Sequence, residues 1–218
     1  MWRDFPDRVV ERTGCTAIVY SRRGYGRSEQ LNADRKIGYM HYEALLVLPE
    51  LLEKLGILEP ILLGHSDGGS IALVYAGAQH PTKALILLAP HAFVEDLTVE
   101  SIAAAKTTFE TTDLRGKLAR YHADVDSTFW GWNRIWLDPE FRRWNIEEFL
   151  TGIKCPVLAI QGLEDQYGTL AQLDAIERQI PASIRRLHLE NCRHSPHRDQ
   201  PELALEAVGT FIDELYPF

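Results

Sequence analysis

Three short, wholly apolar runs constrain this chain most: Pro60–Gly64 (P-I-L-L-G), Ala84–Ala89 (A-L-I-L-L-A) and Pro156–Ile160 (P-V-L-A-I). A strand that is apolar on both sides must be covered on both faces, which is the condition of a parallel sheet clothed by helices. The stretches between the runs supply those helices. Tyr39–Leu55 carries Leu45, Leu48, Leu51, Leu52 and Leu55 at a spacing near ~3.6 residues. Pro49 inside it predicts a kink or boundary, and Gly56 a C-cap. Gly68–His80 reads as a helix ending before Pro81, and Pro201–Leu215 as a closing helix. Two weaker strands are expected: Cys15–Ser21, which ends at the turn-prone Arg23-Gly24-Tyr25-Gly26, and the alternating Ile184–Leu189. The expected class is α/β, with a doubly wound, mainly parallel sheet.

Between Pro90 and Thr151 the alternation stops. Helical patterns over Thr98–Thr108 and Thr112–Ala123 replace it, and four of the five tryptophans fall here: Trp130, Trp132, Trp136 and Trp144. The division expected is therefore a core segment over 1–90, a helical insertion over 91–150 and a second core segment over 151–218. Tryptophans in a small helical unit are expected mainly as its core. Trp130, Trp132 and Trp136 are the candidates for lining a substrate pocket, together with His65 and His91.

The net charge of −8 over 218 residues gives no footing for binding phosphate backbones or anionic membranes. Cys15, Cys155 and Cys192 are widely spaced, with no C-x-x-C and no histidine at finger spacing. Reduced thiols in a cytoplasm are expected, with neither a disulfide frame nor a zinc site. The N-terminal Met1-Trp2-Arg3-Asp4-Phe5-Pro6 lacks the apolar region of a signal peptide. No apolar run approaches the ~20 residues of a spanning helix. A cytoplasmic protein acting on a small molecule, without nucleic acid, membrane, metal or cofactor, is the expectation.

Chemistry concentrates in three loops. Strand Pro60–Gly64 runs into Gly64-His65-Ser66-Asp67-Gly68-Gly69 and then a helix, a G-x-S-x-G sequence in the strand-to-helix context the motif needs. Such a turn exposes the Ser66 hydroxyl at a helix N-terminus, where free amides favour a developing negative charge. Glycines at positions −2 and +2 are expected to relieve its crowding. The competing reading is a Gly-rich turn capped by Ser or Asp. A serine hydroxyl needs a base, and the base an orienting partner. Glu164 and Asp165 follow the strand Pro156–Ile160, and His194 and His197 follow Ile184–Leu189, where open α/β sheets place their sites.

With these residues in place, the sequence resembles the α/β-hydrolase superfamily over essentially its whole length. Arg23-Gly24-Tyr25-Gly26-Arg27-Ser28 is similar to the family's R-G-x-G-x-S loop, Gly162–Asp165 to its G-x-x-D acid loop, and His194–Pro201 to its histidine loop. The resemblance implies Ser66 as nucleophile, His194 as base, Asp165 as orienting acid and the Asp67 backbone N–H as one oxyanion donor. It also implies a helical cap inserted in the core. His197 is the alternative base, an H-x-x-H zinc pair the remote third choice. The chain departs from the family pattern by carrying Arg193 where Gly usually precedes the histidine. Met1–Arg12 resembles the helix before the family's fourth strand, so strands one to three and the His-Gly oxyanion loop are expected upstream of Met1.

The resemblance implies a serine hydrolase of a small carboxylic ester, or of a C–C bond next to a ketone. The rivals are a non-catalytic small-molecule binding protein of the same fold and an inactive fragment lacking the oxyanion loop. A homodimer is plausible where an exposed sheet edge needs covering.

Overall fold

The computed structural model describes residues 1–216; the last two residues of the core segment expected over 151–218 lie outside the described ones. The chain divides into two compact units, Met1–Ala17 with Met40–Phe93 and Asn145–Phe218, and Ile18–Tyr39 with Val94–Trp144. Residues 18–39, expected within the first core segment, thus group with the helical insertion.

The first unit holds a parallel sheet in the order β1-β2-β3-β4, formed by Ile61–His65, Ala84–Leu88, Val157–Gly162 and Ile184–Leu189. Every residue of β2 and β3 is buried, as their unbroken apolar runs require. Helices α1 (Phe5–Thr13) and α8 (Pro201–Leu215) cover one face. There Phe5, Val9, Val208, Phe211 and Ile212 pack against Ile86, Leu88, Leu158 and Ile160 in one apolar cluster. Each of these side chains contributes roughly 1.5–3 kcal/mol by leaving water. Helix α4 (Asp67–Gly77), buried along almost its whole length, packs on β1 and β2.

The helix expected over Tyr39–Leu55 forms as three consecutive pieces, α2 (Tyr39–Tyr42), a π-helical turn (Glu43–Val47) and α3 (Leu48–Lys54). Pro49 has no N–H to continue the ladder, and the Leu48 N–H bonds the Glu43 carbonyl instead. The proline therefore acts through a widened turn just before it.

The strand expected over Cys15–Ser21 does not form. Its β-rich side chains are largely exposed, Ile18 at 52% and Val19 at 57%, and the segment runs across the boundary of the two units. A strand exists by its ladder, and among the described residues none is paired to this segment or to the outer side of β1.

The second unit contains α5 (Asp96–Thr111), α6 (Leu114–Leu118) and α7 (Val125–Trp136). The helix expected over Thr112–Ala123 shrinks to the five residues of α6, consistent with Gly116 at its middle. Helix α7 begins where the Asp124 carboxylate accepts from the Ser127 N–H at 2.9 Å. Trp130 and Trp132 pack on the Phe109–Phe129 stack, and Trp136 is enclosed with Phe141 and Trp144. All four tryptophans take part in aromatic packing inside this unit.

Candidate active site

The site lies within the first unit, at the carboxyl ends of β1, β3 and β4. Strand β1 ends at His65 and the chain turns at Ser66 into α4. Ser66 has φ 53° and ψ −122°, a conformation few non-glycine residues adopt and one that costs on the order of 1–3 kcal/mol. Its backbone is pinned on both sides. The Ser66 N–H donates to the Leu88 carbonyl at 2.9 Å, and its carbonyl accepts from Gly69 N–H at 2.8 Å. The Ser66 side chain makes no capping hydrogen bond, so serine does not cap this turn.

Of the two glycines expected to relieve the turn, the structure needs the one at −2, and a tight approach at +3 replaces the one at +2. A Cβ on Gly64 would lie 2.3 Å from the Gly68 carbonyl oxygen, and one on Gly69 3.0 Å from Pro90 Cβ. A Cβ on Gly68 would meet nothing within 4 Å. The crowding is thus relieved at −2 and +3, while the +2 glycine stands in open space. Asp67, buried at 6%, opens α4.

Beyond β3, the Asp165 side chain is 1% exposed, and both its oxygens lie 2.9 Å from His194 Nδ1. The Tyr167 N–H donates to Oδ1 at 2.8 Å and Gln161 Nε2 to Oδ2 at 2.6 Å. A carboxylate only accepts, so Nδ1 carries the hydrogen and Nε2 is the basic nitrogen of the His194 ring. Glu164, the competing acid, uses its backbone N–H to bind the Cys192 carbonyl at 3.0 Å. That contact docks the acid loop on the histidine loop. Gly162 makes the docking possible, since a Cβ there would lie 2.2 Å from the Cys192 carbonyl oxygen. Arg193, in the place of the usual glycine, is held by its N–H to Asp199 Oδ2 at 3.0 Å.

His65 ties this pair to the elbow. Its Nε2 donates to the His194 carbonyl at 2.7 Å, directly linking the residue before Ser66 to the backbone of His194. The two rings are 4.9 Å apart. Burial, then the neighbouring His194 and His197, push the His65 pKa well below its ordinary value, so the ring is neutral. His91 is buried at 2%, its ring 5.7 Å from that of His194 and its carbonyl accepting from Ser70 Oγ at 2.6 Å. The G-x-x-D pattern carries no signal for Gln161, which acts from the strand before it, nor for the Tyr167 N–H and the His65 bond, which depend on how separate loops fold together.

His197 packs instead against Trp2 at 4.6 Å, His65 at 5.0 Å and Phe5 at 5.9 Å between ring centroids. Burial, and secondarily the Arg198 charge, lower its pKa to about 4. The unfolded chain therefore binds this proton more readily than the native one. Stability from neutral His197 is present above about 6.5 and is lost as pH falls towards 4, to an extent on the order of 3 kcal/mol. Melting between pH 7 and pH 4 is expected to show this loss, and His197→Leu to flatten it. An equally steep decline in the variant contradicts the assignment. Cys192 is buried with its thiol pushed up to about 12, chiefly by burial, which makes it a packing residue and not a nucleophile.

Among the described residues no helix is long and apolar enough to cross a membrane. A family profile described as alpha/beta hydrolase fold matches residues 1–147. The chain belongs to the α/β-hydrolase fold family. It is 22% identical to a Mycoplasma pneumoniae protein named esterase/lipase 2, over 95% of this chain and 82% of that one. It is 34% identical to a proline iminopeptidase of Lactobacillus delbrueckii subsp. lactis, over 37% of this chain and 28% of that one. Among solved structures it is similar to a thermophilic esterase from Thermogutta terrifontis, with TM-score 0.69, 20% identity, and coverage of 98% and 86% of the two chains. A deep-sea metagenome α/β hydrolase, MGS-M2, superposes with TM-score 0.71 at 17% identity, covering 100% and 86%.

Proposed function

We propose that this chain is a serine hydrolase acting on a small carboxylic ester. The observation that carries the reading is the chain of contacts from Asp165 to the elbow. Asp165 bonds His194 Nδ1 at 2.9 Å, and the His194 carbonyl is bonded at 2.7 Å by His65, the residue before the strained Ser66. Esterase names among the relatives and structural neighbours support the ester over a C–C bond.

In this reading the Ser66 oxygen attacks the acyl carbon while His194 Nε2 takes its proton. The imidazolium is held by Asp165, and the Asp67 N–H at the start of α4 donates to the developing oxyanion. His194 returns the proton to the leaving alcohol as the carbonyl re-forms. Water, deprotonated by the same nitrogen, then releases the acid and restores Ser66.

A fluorophosphonate probe tests this reading. Covalent labelling that a short p-nitrophenyl ester competes away, together with turnover of that ester, is the expected result. No labelling and no turnover favours a binding protein of the same fold.

A further inference from the structure

We infer that Gln161 is a positioning residue that sets the Asp165 carboxylate for His194; the inference rests on the serine-hydrolase reading above. Gln161 is the fifth residue of β3 and 1% exposed. Its Nε2 donates to Asp165 Oδ2 at 2.6 Å and to the Gly168 carbonyl at 3.1 Å. Both amide hydrogens are thereby committed. Its Oε1 is buried with no hydrogen-bond partner.

The two acceptors on Nε2 fix the amide's orientation. The flipped amide would set Oε1 against a carboxylate and a carbonyl, two acceptors facing a third. The strand therefore carries a side chain whose polarity costs stability at a position where an apolar residue would cost nothing. What the cost secures is geometric. Tyr167 N–H holds Oδ1 and Gln161 holds Oδ2, so the carboxylate cannot rotate, and both oxygens stay 2.9 Å from Nδ1. The second bond, to Gly168, fastens the loop carrying Tyr167 to the same strand. One of the two rigid donors is backbone; Gln161 is the one that side-chain substitution can remove.

Two volume-conserving variants test this. Gln161→Glu has at most one hydrogen for two acceptors and brings a like charge against Asp165. Gln161→Met removes both donors and adds no charge. Each is expected to lower kcat by ~10–100-fold, because the base loses its fixed partner geometry. KM should stay within about twofold, since Gln161 is buried under the loop and does not touch substrate. In Gln161→Glu the added negative charge favours the protonated imidazole, and the acid limb of kcat/KM should move up by about one pH unit. Gln161→Met should show the smaller displacement. Thermal melting establishes that each variant is folded before kinetics, and Gln161→Met carries the test if Gln161→Glu melts early. A labelled, active wild type whose folded variants keep kcat and the acid limb overturns the role of Gln161 alone. A wild type without labelling or turnover overturns the hydrolase reading, and this inference with it.

Discussion

Ser66→Ala is expected to lower ester turnover by about a millionfold while leaving the fold intact. The two halves of that expectation have separate physical grounds. The loss follows because the neighbouring groups are committed elsewhere: the Ser70 hydroxyl donates to the His91 carbonyl at 2.6 Å, and the Cys192 thiol in the histidine loop is buried and pushed up to about 12. The intact fold follows because the Ser66 hydroxyl caps nothing. Removing a capping serine would cost ~1 kcal/mol, whereas here the melting midpoint should stay near the wild type. Alanine at φ 53° carries the same backbone strain as serine, so relief is not expected either. The measurements are kcat/KM on a short p-nitrophenyl ester and a thermal melt. Retained turnover removes Ser66 from the mechanism, and a lowered melting point restores it to the role of a cap.

The second large effect separates two glycines of one motif. Gly64→Ala drives a Cβ to 2.3 Å from the Gly68 carbonyl oxygen and 2.6 Å from the Gly69 nitrogen. Both are backbone atoms at the start of a buried helix, and neither moves without displacing Ser66. A stability loss of ~3 kcal/mol or more, and at least ~100-fold in turnover of what folds, is expected. Gly68→Ala meets nothing within 4 Å and sits in helical backbone. Its stability should be unchanged or raised by up to ~1 kcal/mol. Equal behaviour of the two variants in urea unfolding contradicts the elbow geometry.

Much of this was legible from the sequence because it rests on local rules. The runs at 84–89 and 156–160 announce β2 and β3 through their unbroken apolar character, which only strands covered on both faces require. The pairing of His194 with Asp165 follows from where loops leave a parallel sheet. What the sequence could not supply depends on partners distant along the chain. Cys15–Ser21 has the residues of a strand, but a strand needs a neighbour, and composition does not report neighbours. The demand for glycine at 69 rather than 68 comes from Pro90, twenty-one residues on from Gly69. Gln161 reads as one polar residue closing an apolar strand until its two acceptors are placed around it.

Among the described residues no strand pairs with the outer side of β1, and this has a consequence for how the sheet breathes. In a parallel pair, alternate amides of an edge strand point towards its neighbour and away from it. The Ser66 N–H faces β2, bonding Leu88, so the amides of Ile61, Leu63 and His65 face outward. Deuterium should replace these three hydrogens well before those of β2, whose two neighbours close both sides. The strand that delivers the candidate nucleophile is thus the least protected of the strands at its end of the sheet.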